Sequence, residues 1–330
     1  MQGRGGAAAA PQSRSARARL VRSAGIVLAI VAIALCVKAL VDHWSDSSDA
    51  LRNAHPGWLT LALVLSALSM ATLAALWRSC LAAFGRAVRL RDALAWYFGG
   101  ELGKYVPGGI WPVLGRGELA FRAGVPRAAG YLTTLVSYVA MCGAAVTSCG
   151  FLVPLAVLRD EAPGWAAVFV VLVPLGLLPA TPAALGLLLR AGAKLTKGRL
   201  SDTPPPGRTM MLVIVTAIPA WLFVGGAAVA VTHALGFEQQ PERIAAAAVC
   251  AWIAGFAVVP VPSGAGVREL VFAGVCGLAA GPAVTVAAIA RLLFVVVDGV
   301  GGLAGLWFSR RRHDGAADRP PAGIRAGDHP

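Results

Sequence analysis

Eight ionisable side chains sit where this sequence is otherwise apolar. Glu101, Lys104, Arg116 and Glu118 fall in GGELGKYVPGGIWPVLGRGE, Gly99 to Glu118. Arg268 and Glu269 close VPVPSGAGVRE, Val259 to Glu269, and Arg291 and Asp298 lie inside the last hydrophobic run. Charges in apolar, membrane-like sequence are costly and mark a pathway, a relay or a ligand site. The chemistry on offer is of two kinds. Arginine can take a phosphate through two parallel hydrogen bonds. A buried carboxylate can exchange a proton or act as a general base on a bound head group. A plainer account also fits. Arg291 and Asp298 share one helix face, about 10 Å apart along the axis, and could form structural ion pairs with Glu269 or Arg268.

The backbone around these charges is broken. Pro107, Gly108, Gly109 and Pro112 interrupt the first stretch, and Pro262, Gly264 and Gly266 the second. Proline lacks an N–H and biases the residue before it away from helix. Broken backbone at membrane depth is tolerated only where protein buries it or a cavity lies beside it. The first stretch is therefore expected to be a cytoplasmic re-entrant broken helix, and the second to lead into a short crossing half-helix. The two echo each other. Val106-Pro107-Gly108-Gly109 leads to Arg116 and Glu118, as Val261-Pro262-Ser263-Gly264 leads to Arg268 and Glu269. Paired discontinuous helices meeting at a site are a transporter device. Two unrelated turns would look much the same.

The elements that must position these residues are long and apolar. Of 330 residues, 57% are hydrophobic and only 14% charged, whereas a soluble domain is about a quarter charged. The expectation is an all-α polytopic membrane protein with about seven long transmembrane helices, built on apolar runs close to the roughly 18 residues a crossing needs. The runs are Gly25–Val41, Trp58–Trp77, Leu132–Leu158, Trp165–Leu189, Met210–Leu235, Ile244–Val259 and Val284–Trp307, with Val267–Ala280 as the short crossing segment. Residues 1–22 and 309–330 read as disordered cytoplasmic tails. Residues 23–308 read as the membrane domain, with broken segments 99–118 and 259–280. The net charge is +13. Much of it falls in short segments between apolar runs, such as Arg86, Arg89 and Arg91, or Arg190, Lys194 and Lys197. The preference for basic cytoplasmic loops explains this without nucleic acid. It makes the chain a multi-pass protein of the cell membrane with both termini cytoplasmic.

Several activities have no motif here. There is no GxxxxGK[ST], so no nucleotide engine is expected. Gly264–Glu269 mimics the start of a dinucleotide loop but lacks its last glycine and any βαβ setting. The six cysteines are dispersed and the five histidines isolated in sequence. No metal, cofactor or catalytic residue is expected on that basis.

GKYVPGGIWPVLGR (Gly103–Arg116), the continuation Arg122-Ala123-Gly124-Val125, and PVPSGAGVRE (Pro260–Glu269) resemble the integral-membrane region of lysylphosphatidylglycerol synthases. That region also occurs in stand-alone membrane proteins. The resemblance spans roughly residues 20–310. It implies a protein that moves an aminoacylated phospholipid between leaflets, or one that accompanies enzymes acting on glycosyl lipids. It also implies that Arg116, Arg268 and Glu269 stand in a central cavity. Only a short tail follows Trp307, so the soluble domain that transfers the amino acid from tRNA is not expected, nor is synthase activity.

The expected function is binding and translocation of a lipid with a phosphate-containing head group: an anionic phospholipid, or an aminoacyl or glycosyl lipid. The expected head-group residues are Lys104, Arg116, Glu118, Arg268, Glu269, Arg291 and Asp298. Two alternatives stay open. One is a membrane partner for a separately encoded soluble synthase or glycosyltransferase. The other is a membrane-embedded lipid transferase with Glu118 or Glu269 as base. A homo-oligomer is open as well.

Overall fold

The structure, a computed structural model, describes residues 41, 44–105, 110–158, 169–195, 205–257, 264 and 266–317. Nearly all of the expected first span, both expected tails up to residue 22 and from residue 318, and the breaks at Pro107, Gly108, Gly109 and Pro262 lie outside the described residues. The described residues form eleven helices and no strand. In chain order these are α1 (Trp44–Arg52), α2 (Pro56–Ala83), α3 (Leu90–Glu101), α4 (Trp111–Arg122), α5 (Arg127–Leu158), α6 (Leu172–Leu177), α7 (Pro182–Leu195), α8 (Gly207–Ala234), α9 (Pro241–Ala257), α10 (Val267–Val275) and α11 (Ala280–Ala317).

The protein is an all-α polytopic membrane protein. Among the described helices, α2, α5, α8 and α11 are each long and apolar enough to cross a bilayer. A helix satisfies its own backbone, which is what permits a crossing. Its hydroxyls follow the same logic. Ser66 donates to the Ala62 carbonyl and Thr134 to the Gly130 carbonyl, both at 2.8 Å, so these polar atoms are satisfied within their own helix. Trp77 is fully buried between helices and donates Nε1–H to Thr134 Oγ1 at 3.0 Å. Large apolar side chains such as Phe151, Leu212, Val300 and Leu303 point outward, which suits a lipid solvent.

Two elements differ in detail from the expected runs. The described part of Trp165–Leu189 is not one helix. α6 ends at Leu177, a 3-10 turn covers Leu178–Ala180, and α7 starts at Pro182. Pro179 and Pro182 cause this, since neither can donate and each restricts its predecessor. In contrast, α11 continues through Arg310–Arg312 to Ala317, into the stretch expected to be tail. Arginine is a good helix former, and the next proline is Pro320.

Two short helical hairpins stand against α11. α3 runs antiparallel to it: Ala95 meets Gly305, Phe98 meets Gly301, and Tyr105 meets Asp298. α4 then folds back along α3, with Gly100 against Arg116 and Gly103 against Trp111. Pro112 lies in the first turn of α4, where a missing N–H costs nothing, so it starts a helix rather than breaking one. α10 folds back along α9 in the same manner. Arg268 lies against Gly255, and Arg243 Nε donates to the Val275 carbonyl at 3.2 Å. Gly264 and Gly266 turn into α10 with φ of 66° and 80°, left-handed values that favour glycine. Val275 is followed almost at once by Ala280, so this second hairpin enters from the N-terminal end of α11. The first enters from the C-terminal end.

Candidate functional site

Residues flanking the two hairpin turns line one cavity of about 560 Å³. Glu101, Lys104 and Tyr105 reach it from the tip of the first hairpin, and Arg116 from α4. Arg268 and Glu269 reach it from α10, and Arg291 and Asp298 from α11. Of the head-group residues singled out in the sequence, Lys104, Arg116, Arg268, Glu269, Arg291 and Asp298 line this one space.

Glu118 does not, and its expected place in the cavity is corrected. It follows Arg116 by two residues, so it points to the other side of α4. There its side chain is 36% exposed, and Arg127 grips it through Nε–Oε2 at 3.0 Å and Nη2–Oε1 at 3.2 Å. The hydrogen-bonding Arg127 guanidinium holds the Glu118 carboxyl below the usual carboxylate range. The residue braces α4 against the start of α5.

Inside the cavity the charges are shared unevenly. The Arg116 guanidinium is paired with Glu101. Lys104 Nζ lies 3.0 Å from Glu101 Oε2 and 2.6 Å from Asp298 Oδ2, so it bridges two carboxylates. Tyr105 donates its hydroxyl to the same Asp298 oxygen at 2.6 Å. Arg291 Nη1 donates to Glu269 Oε1 at 2.6 Å, which is the ion pair the plainer account anticipates. Arg268 has no ion-pair partner among the described residues, and its Nε has no acceptor there. Glu269 Oε2 and Asp298 Oδ1 are likewise buried without a hydrogen bond. Four cations (Lys104, Arg116, Arg268, Arg291) face three carboxylates (Glu101, Glu269, Asp298). The lining therefore carries one positive charge in excess, and Arg268 is where that excess sits.

The echo read in the sequence becomes a repeated unit in three dimensions. Tyr97 stands one turn before Gly100, and its ring lies 3.7 Å from Arg116 Cζ. Trp252 stands one turn before Gly255, and its ring lies 4.7 Å from Arg268 Cζ. In each hairpin the glycine lets the returning helix come close, and the ring receives the guanidinium. A desolvated arginine over an aromatic face is stabilised by about 2 kcal/mol or more, which partly offsets the burial of Arg268. Tyr138 of α5 touches both units. Its ring is 5.4 Å from Arg116 Cζ and 5.6 Å, centroid to centroid, from Phe256 at the end of α9.

Sequence reasoning passed over these aromatics, because a tyrosine or tryptophan in an apolar helix looks like ordinary core. The available signal was an aromatic followed three residues later by glycine, just ahead of each broken stretch. It also left Glu101 out of the head-group set, although Glu101 anchors Arg116. Among the described residues no group of three or more His, Cys, Asp or Glu is placed to hold a metal ion.

Membrane-crossing helices, broken hairpins and a charged chamber where the hairpins meet define a multi-pass membrane protein with an internal polar site. Residues 23–302 match the lysylphosphatidylglycerol synthase TM region, and the chain belongs to that family. Membership links it to lipid modification or translocation. No curated protein matches the chain.

Proposed function

We propose that this protein binds a membrane lipid by a phosphate-bearing head group in the cavity and carries that lipid across the bilayer. The observation that carries this reading is Arg268. It is a part-buried arginine on the cavity wall with its Nε fully buried, held over Trp252, and among the described residues it makes no ion pair. A cation drawn out of water without an ion-pair partner is costly, and a phosphate oxygen is the acceptor its fork geometry suits. The rim supports the same reading. Ile110, Leu135, Phe256 and Val295 line the cavity and are also exposed on the apolar exterior, so acyl chains can stay in lipid while the head group enters. Hairpins entering from opposite ends of α11 provide access from alternate sides. The basic segments around Arg78–Arg91 and Arg122–Arg127 set the mouth of the first hairpin in the cytoplasm.

The test is translocation of a labelled phospholipid in reconstituted vesicles. Arg268→Ala abolishes it while the purified variant keeps its thermal unfolding midpoint and elution volume. Arg268→Lys retains a fraction, having the charge without the fork. Flipping by Arg268→Ala at the wild-type rate would remove the proposed role.

A further inference from the structure

We propose that Asp298 is a proton-binding site linked to the anionic head group, with Lys104 as the cation for which the two compete. The inference rests on the head-group reading above and adds the source of coupling.

Asp298 is fully buried, and it lines the cavity. Its Oδ2 accepts from Lys104 Nζ and from the Tyr105 hydroxyl, each at 2.6 Å, while its Oδ1 has no hydrogen-bond partner. Charged and titratable groups reach it from several of the packed elements. Lys104 and Tyr105 touch it from the 3-10 turn after α3. Glu101 of α3 shares Lys104. Arg116 of α4 and Tyr97 of α3 lie beyond Glu101. Arg268 and Glu269 of α10 face the same space, and Arg291 sits two turns back on α11. α2 and α8 add Met70, Leu73, Val224 and Ala228 to the wall, none of them titratable.

Lys104 is the cation of this set that is shared between two carboxylates. Its side chain is 25% exposed. A phosphodiester drawn to Arg268 offers Lys104 a third anion, in place of Asp298. When Lys104 turns to it, Asp298 keeps only a neutral phenol. A carboxylate so buried costs several kcal/mol without a cation, and protonation is the way out. Oδ1 is the oxygen with room for that proton. The charge closes: four cations less three carboxylates is +1 before loading. Four cations less two carboxylates less one phosphodiester is +1 after loading. The chamber carries the same net charge with and without its cargo. Linkage makes the effect reciprocal, so a proton on Asp298 strengthens the grip on the anion.

The experiment uses the full chain in detergent, in weak buffer with a pH-sensitive dye, titrated with short-chain phosphatidylglycerol. Wild type takes up about one proton per bound lipid, and its affinity tightens by up to about tenfold per unit fall in pH. Asp298→Asn binds the probe with no proton uptake and an affinity flat in pH. Lys104→Gln binds more weakly, also without uptake. Binding by wild type with no proton taken up would overturn the inference and leave the head-group reading standing. So would a pH dependence that persists in Asp298→Asn. No binding of the probe at any pH would overturn both.

Discussion

Gly255 lies directly beneath Arg268, so close that a Cβ there would sit 2.7 Å from Arg268 Nε. Gly100 stands in the same relation to α4, but there a Cβ would sit 2.8 Å from the Arg116 backbone nitrogen and 3.2 Å from the Pro112 carbonyl oxygen. A flexible side chain can yield where a backbone cannot. Gly255→Ala therefore keeps the fold and displaces Arg268, weakening binding of an anionic lipid. Gly100→Ala separates α3 from α4 and lowers stability by roughly 1–3 kcal/mol. Unfolding and lipid titration of the two purified variants distinguish these effects. Equal loss of stability in both would show that Gly255 is only a packing position.

The Glu269–Arg291 pair ties the second hairpin to α11. Removing one partner of a buried pair costs about 3–5 kcal/mol, and replacing both often costs less. Arg291 is 29% exposed, which puts Arg291→Gln toward the low end. Glu269→Gln with Arg291→Gln recovers part of the loss. A double-mutant cycle on thermal unfolding measures the coupling, and purely additive effects would mean the pair contributes nothing.

Cys149 of α5 and Cys250 of α9 bring their sulfurs within 3.5 Å. A membrane-permeant oxidant should join them, the two thiols giving up two electrons and two protons to it. The readout is loss of two alkylatable thiols with the protein still running as a monomer under non-reducing conditions. Persistence of both thiols under oxidation would place α5 and α9 farther apart than the structure does.

Glu118→Gln leaves lipid movement at the wild-type rate, whereas Glu101→Gln, which frees Arg116, changes it. The Glu118 carboxyl is depressed by Arg127. Whatever the pair contributes is present above the unfolded carboxylate range near pH 4.5 and fades as pH falls through the lower folded value. Between pH 6 and 8 the Glu118→Gln variant should therefore melt with the same pH profile as wild type. Slowed translocation in this variant would return Glu118 to the transport pathway.

The long helices were legible because a bilayer imposes a length: the runs around Trp58, Leu132, Met210 and Val284 reappear as α2, α5, α8 and α11. Most of the chamber was legible too, since Arg268 or Asp298 in apolar sequence has few inexpensive places to be. What the sequence concealed was direction. Arg116 and Glu118 read as a unit along the chain, yet a helix sends residues two apart to different sides. The true partner of Arg116 is Glu101, from the opposite arm of the hairpin. The rings under the arginines were hidden for a different reason: burial in a core and service as a shelf call for the same side chain.

Tyr138 touches one hairpin through Arg116 and the other through Phe256. A displacement of Arg116 or of Phe256 would alter the surroundings of this one phenol, so a single spectroscopic reporter placed there would register movement of either hairpin.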